Sequence, residues 1–263
     1  MTSIPAVVPP LPREQTWKRN VAPAAALGWL STGWRDFKIN PAASISYGVL
    51  VFLVSVITVV GIFALNRDYI LLPAFAGFMV VGPLIGIGLY EKSRRIEEGR
   101  PVSLWNMIFV SSESGGQILF AGVLLLMLTL LWMRAAVILY ALFFGLSPFP
   151  GLDRIVPMLF TTEIGWAMLV VGGAVGGLFA AFAFAISAFS IPMLLSDRTD
   201  ALTAMGTSMA LVWNNLPVML TWAAIMLALI FVGIVTGLLG MIVVFPVLGH
   251  GSWHAYRTMR SSV

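Results

Sequence analysis

Long apolar runs alternate with short polar clusters along this chain, and the run lengths set the expected architecture. Six runs stand out, at about 42–65, 70–91, 114–134, 164–194, 215–236 and 238–256. Each approaches or exceeds the ~20 residues a helix needs to cross ~30 Å of hydrocarbon at 1.5 Å per residue. The pattern predicts an all-α polytopic transmembrane bundle of six spans. The connection "KSRRIEEGRPVSL" (92–104) is charged and belongs outside the bilayer, while the break near 237 is short enough to predict a tight helical hairpin.

Ahead of the first run, Ala24–Lys38 has its own periodicity. Leu27, Leu30, Trp34 and Phe37 recur at spacings of three and four, with Arg35, Asp36 and Lys38 falling elsewhere. This predicts a short amphipathic helix in the headgroup region, anchored by its tryptophans. Asn40-Pro41 then redirects the chain into the first span. Residues 1–23 are rich in proline and lack an apolar core before a cleavage site, so they predict a disordered tail rather than a signal peptide. The expected organisation is a tail, 1–23, and one helical membrane domain, 24–263.

Two runs carry unusual residues. Ile118–Leu146 is too long for one untilted span and holds Arg134. A mid-bilayer arginine costs at least ~2.5–3.5 kcal/mol. If the helix enters near Gly115, Arg134 sits about 28 Å along it, at the outer interface, where its guanidinium can snorkel. The span is therefore expected to end near Arg134, with Ala135–Leu146 a separate interfacial or re-entrant helix and Asp153 and Glu163 as partners. The fourth run contains overlapping GxxxG pairs, Gly172/Gly176 and Gly173/Gly177, continued by Ala180 and Ala181. Small residues let helix backbones approach closely in lipid. The stripe predicts packing inside the bundle, or a face for a partner helix or a flat cofactor.

Composition sharpens this picture. Of 263 residues, 59% are hydrophobic and 10% charged, with a mean hydropathy of +0.97. Soluble domains carry about 25% charged residues, so an ordinary soluble fold is excluded. The net charge of +4 does not indicate nucleic acid, because the basic residues flank the apolar runs. Arg13, Lys18, Arg19, Arg35, Lys38, Lys92, Arg94, Arg95, Arg100, Arg198, Arg257 and Arg260 fall on one side of the predicted topology. Arg67 and Arg154 fall on the other. The positive-inside bias makes the first side, and both termini, cytoplasmic.

An internal repeat joins two run ends. "VVGPLIGIGLYEKSRR" (80–95) aligns without gaps on "VVFPVLGHGSWHAYRT" (243–258). Val80/Val243, Val81/Val244, Pro83/Pro246, Gly86/Gly249, Gly88/Gly251 and Arg94/Arg257 are identical. Ser190-Ile191-Pro192 followed by "SDRTD" is a fainter third echo. The implied unit is an interfacial helix, two spans and a polar exit.

The only histidines, His250 and His254, lie four apart on one predicted helix face, and in the repeat they replace Ile87 and Glu91. That spacing could hold one metal ion with Glu91, Asp36 or Glu97 as further ligands, or serve interfacial hydrogen bonds or proton handling. Two imidazoles on one face cannot ligate one haem axially from both sides. Cysteine is absent, and no phosphate-binding glycine loop, HExxH motif or nucleophile elbow occurs. Enzymatic chemistry is therefore not expected. Glu113 reads as a helix-start carboxylate, and Asn214-Asn215 as punctuation before the next span.

"GWRDF" (33–37), "GPLIGIGLYEKSRRIEEG" (82–99) with "SLW" after it, and "GHGSWHAYR" (249–257) resemble a family of bacterial integral membrane proteins of unknown function. The resemblance covers nearly the whole chain after the tail. It implies a bacterial inner-membrane location and no established active site. Some relatives bear the name cytochrome c oxidase subunit I, but two histidines cannot supply that ligand set. The resulting expectation is a non-catalytic accessory or assembly subunit of a larger membrane complex, in company with respiratory complexes and partnered by lipid and other membrane subunits. The alternative is a small transporter or channel, or a metal- or haem-handling membrane protein.

Overall fold

Asn40 sets the first corner of the fold. Its backbone is left-handed (φ 51°), its side chain accepts from the Ala43 amide, and Pro41 follows at the first helical position. It separates α1 (Ala25–Lys38) from α2 (Pro41–Ala64). The computed structural model describes residues 17–145 and 149–260, which contain helices and no strand. A 3-10 turn at Asp68–Ile70 leads into α3 (Leu71–Ile85), which Gly86 joins to α4 (Ile87–Glu97). Then come α5 (Leu104–Ile108), α6 (Gly115–Phe144), α7 (Leu152–Thr161), α8 (Glu163–Ser187) and α9 (Ser190–Ser196). The chain closes with α10 (Ala201–Asn214), α11 (Leu216–Val235) and α12 (Met241–Arg260).

This order repeats three times: a short helix, a long helix, and an exit helix that is broken or proline-bearing. The rounds are α1–α2–α3/α4, α5–α6–α8/α9 with α7 inserted, and α10–α11–α12. Packing follows the same order. Each short helix lies on the exit helix of the round before it, α5 on α4 and α10 on α9, and α1 closes the ring on α12. The long helix α6 packs on α3, and α2 packs on α12. Among the described residues, α11 has no comparable packing on α8.

Close approach at the α1–α12 seam depends on paired glycines. A Cβ on Gly33 would stand 2.6 Å from the Gly251 nitrogen and 2.7 Å from the Val247 carbonyl oxygen. Here two helix backbones touch, and no side chain fits between them.

Several expectations change. Among the described residues five helical stretches, rather than six, are long and apolar enough to cross a membrane: Pro41–Ala64, Pro73–Glu97, Gly115–Phe144, Glu163–Ser196 and Leu216–Val235. The sixth run forms α12, a 20-residue helix whose second half is polar and largely buried among other helices. Its polarity is absorbed by neighbours rather than presented to lipid. The helix expected to end at Arg134 continues unbroken to Phe144, 30 residues in all, or about 45 Å. No glycine or proline interrupts 123–144, so nothing in the backbone stops it near Arg134. Arg134 is exposed and makes no ion pair with Asp153 or Glu163.

Helix α1 forms as expected but faces differently. It buries Ala26, Trp29, Gly33, Asp36 and Phe37 against the bundle and leaves Leu27 and Trp34 exposed. The proline-rich tail lies outside the described residues up to 16. Its end is tied down: the Trp17 carbonyl accepts from Asn215 Nδ2 (2.8 Å), and the Arg19 amide donates to Asn215 Oδ1 (2.8 Å). Arg19 Nε also donates to the Met259 carbonyl (2.7 Å), so the two ends of the described chain meet at one end of the bundle.

Candidate functional site

A chain of buried polar groups at that terminal end connects the first round to the last. Lys92 on α4 is fully buried, and its ammonium donates to the Asn40 carbonyl (3.1 Å) and to Ser44 Oγ (2.7 Å). An ammonium only donates, so the Ser44 hydroxyl has its own proton free for His250 Nε2 at 3.0 Å. His250 then carries its proton on Nδ1, which faces the Leu89 carbonyl (3.1 Å) and Ser93 Oγ (2.9 Å). Ser93 stands next in line toward Asp36, where its hydroxyl favours the charged carboxylate. His254 Nε2 meets the Asp36 carboxylate at 2.7 Å. The donors run one way, from Lys92 to Asp36. Each hydroxyl and the imidazole between serves as both acceptor and donor.

The chain reaches the surface through a second layer. His254 Nδ1 lies 3.7 Å from Glu97, which pairs with Arg257 Nε at 3.2 Å. Beside it, fully buried Glu91 holds Arg95 Nε at 2.6 Å and Arg94 at 2.6 Å. The Arg94 contact is an ion pair without hydrogen-bond alignment. Arg94 also donates to the Leu195 and Ser111 carbonyls (3.0 Å each), which fastens α4 to the second round. Tyr256 and Arg260 of α12 bind Asp197 at 3.0 and 2.6 Å. Most of these buried charges and hydroxyls thus have a partner, as burial demands.

Burial opposes the charge on Asp36, but hydrogen bonds from His254 and Ser93 outweigh it and hold its carboxyl below the usual range. A depressed folded-state value means that Asp36 contributes stability above the unfolded-state value, and that this contribution fades as pH falls through the folded one. Melting temperatures of wild type and Asp36→Asn should therefore differ most near neutral pH. The gap should narrow below about pH 4. A gap unchanged between pH 6 and pH 3 would contradict the assignment.

The structure answers what the two histidines add to the repeat. His250, in the place of Ile87, bridges α2 and α4. His254, in the place of Glu91, holds α1 through Asp36. They do not form a common metal site, because both nitrogens of His250 and Nε2 of His254 are committed to protein partners. Among the described residues, no group of three or more histidine, aspartate or glutamate side chains could hold a metal ion.

The sequence pointed to Asp36 as a companion of the histidines, and His254 meets it, but it did not reveal Ser44, Ser93 or Lys92 as members of the site. One signal was available: the repeat places a histidine where the first copy has isoleucine, so something polar had to face it.

The glycine pairs of α8 divide between two faces. A Cβ on Gly176 would stand 2.9 Å from the Trp132 ring, an internal contact. At Gly172, Gly173 and Gly177 it would meet nothing within 4 Å.

Residues 71–196, just under half of the chain, match a family described as a predicted integral membrane protein (DUF2189). The match runs from α3 through α9 and includes the "GPLIGIGLYE" motif. It agrees with the family of unknown function that the sequence resembles, and the chain is a multi-pass integral membrane protein. No curated protein and no solved structure matches.

Proposed function

We propose that this chain acts by association, as a non-catalytic accessory or assembly subunit of a larger membrane complex in the bacterial inner membrane, with both termini cytoplasmic. The observation that carries this reading is the outward face of α8. Gly173, Gly177 and Ala181 follow one another at four-residue spacing, and all three are exposed. Such a row lets a neighbouring transmembrane helix approach backbone to backbone. The occupant is a transmembrane helix of another subunit. The buried polar chain fits the same reading, since it fixes the terminal end of the bundle and leaves its apolar flanks free.

Mild-detergent purification from native membranes should co-isolate other membrane proteins. Gly173→Leu/Gly177→Leu should abolish that co-isolation while leaving the melting temperature within about 2 °C, because leucine there displaces nothing and favours the helix over glycine. A chain that runs alone as monomer or homodimer, or a double variant that retains its companions, would overturn the reading.

A further inference from the structure

The three-round packing leaves one seam open, and a cavity lies there. It measures about 150 Å³ and is bounded on one side by α8 and on the other by α11 and α12, with α3 and α4 at its floor. At the other two seams the equivalent helices meet directly.

The lining has a specific chemistry. Trp132 and Trp222 contribute indole faces, and no charged side chain contributes to the wall. Tyr90 (3% exposed) and Ser187 (2% exposed) line the same wall, and neither hydroxyl has a hydrogen-bond partner among the described residues. The buried Trp132 Nε1–H also lacks an acceptor. Ser252 adds a further hydroxyl at the wall. Leaving several buried donors unpaired is costly, so the wall is complementary to acceptors that the chain itself does not provide. An apolar cavity of ~150 Å³ accommodates a single six-membered ring. Ala180, at its edge, is exposed on the bundle surface, which gives a long substituent a way out to lipid.

We propose that this cavity binds a neutral ring bearing hydrogen-bond-accepting oxygens on a lipid-soluble body, the chemistry of a membrane quinone. The uncharged aromatic wall selects a neutral flat ring, and Tyr90 and Ser187 supply donors to its oxygens. The site is separate from the outward face of Gly173 and Gly177, so either assignment can fail alone.

The test uses the full chain in phosphatidylcholine nanodiscs and decylubiquinone as probe. Quinones quench indole fluorescence, and with Trp132 and Trp222 in the wall, site binding gives a saturable component above the linear quenching by probe dissolved in lipid. Tyr90→Phe keeps the shape and removes one donor, so half-saturation should rise about five- to tenfold. Ala183→Phe fills the cavity and should abolish the saturable component. Should Ala183→Phe not fold, Ser187→Ala replaces it with the same expected direction as Tyr90→Phe. n-Decane in excess should not compete. Purely linear quenching in wild type, or equal half-saturation in the variants, would overturn the proposal. Competition by n-decane as effective as decylubiquinone would also overturn it and assign the cavity to acyl chains.

Discussion

His250→Ala is expected to destabilise the protein by about 3 kcal/mol or more, the range seen when one member of a buried polar network is removed. The ring is fully buried and touches three partners on two helices: Ser44, Ser93 and the Leu89 carbonyl. Its loss strands the Ser44 hydroxyl proton, because Lys92 on the other side can only donate. It also takes the Nδ1–H donor from the Leu89 carbonyl and leaves a void the size of an imidazole. Ser93→Ala should cost only about 1 kcal/mol, since His250 Nδ1 keeps the Leu89 carbonyl. Thermal unfolding in detergent measures both. A double-mutant cycle with Ser44→Ala should show coupling, because the two groups share one hydrogen bond. Additive losses, or an His250→Ala variant as stable as wild type, would remove His250 from the centre of the chain.

The second large effect concerns shape rather than polarity. Gly33→Val should destabilise by about 3 kcal/mol, at the upper end for overpacking, because its Cβ would meet the backbone of α12 and not a side chain that can rotate away. Gly28→Val is the matched control on the same helix. Nothing lies within 4 Å of a Cβ there, so it should be neutral or stabilising by a few tenths of a kcal/mol. If both variants melt alike, the α1–α12 seam is not the tight contact described. Parting that seam would also separate Asp36 from His254, so Gly33→Val should flatten the acid dependence assigned to Asp36.

The helices were legible because hydropathy along the chain is a local sum. Asn40-Pro41 marked the first corner, and the break after Val235 marked the hairpin. The glycine pairs Gly86/Gly249 and Gly88/Gly251 announced a repeated helix exit before any coordinates. The fainter echo at Ser190-Ile191-Pro192 corresponds to the α8–α9 break of the second round. Helix α6 was cut short at Arg134 because a charge was taken to mark a boundary. An exposed arginine two-thirds of the way along a continuous helix satisfies the same energetics by snorkelling.

Asp36 was legible as a companion of the histidines, but its burial was not. In Ala24–Lys38 it reads as an outward carboxylate, since an amphipathic pattern assigns every charge to water. The structure turns it inward, to 2% exposure, because His254 of α12 and Ser93 of α4 arrive to satisfy it. Lys92 reads likewise as a charge in a solvent loop, yet Asn40 and Ser44 of the first round enclose it. Sequence alone determined that this chain makes long apolar helices with polar exits, where they begin, and that an exit motif recurs. Only the tertiary structure decided which polar groups face one another and which glycines touch backbone. Hydropathy is a property each residue carries with it, whereas burial of a charge depends on partners brought from 40 to more than 200 residues away.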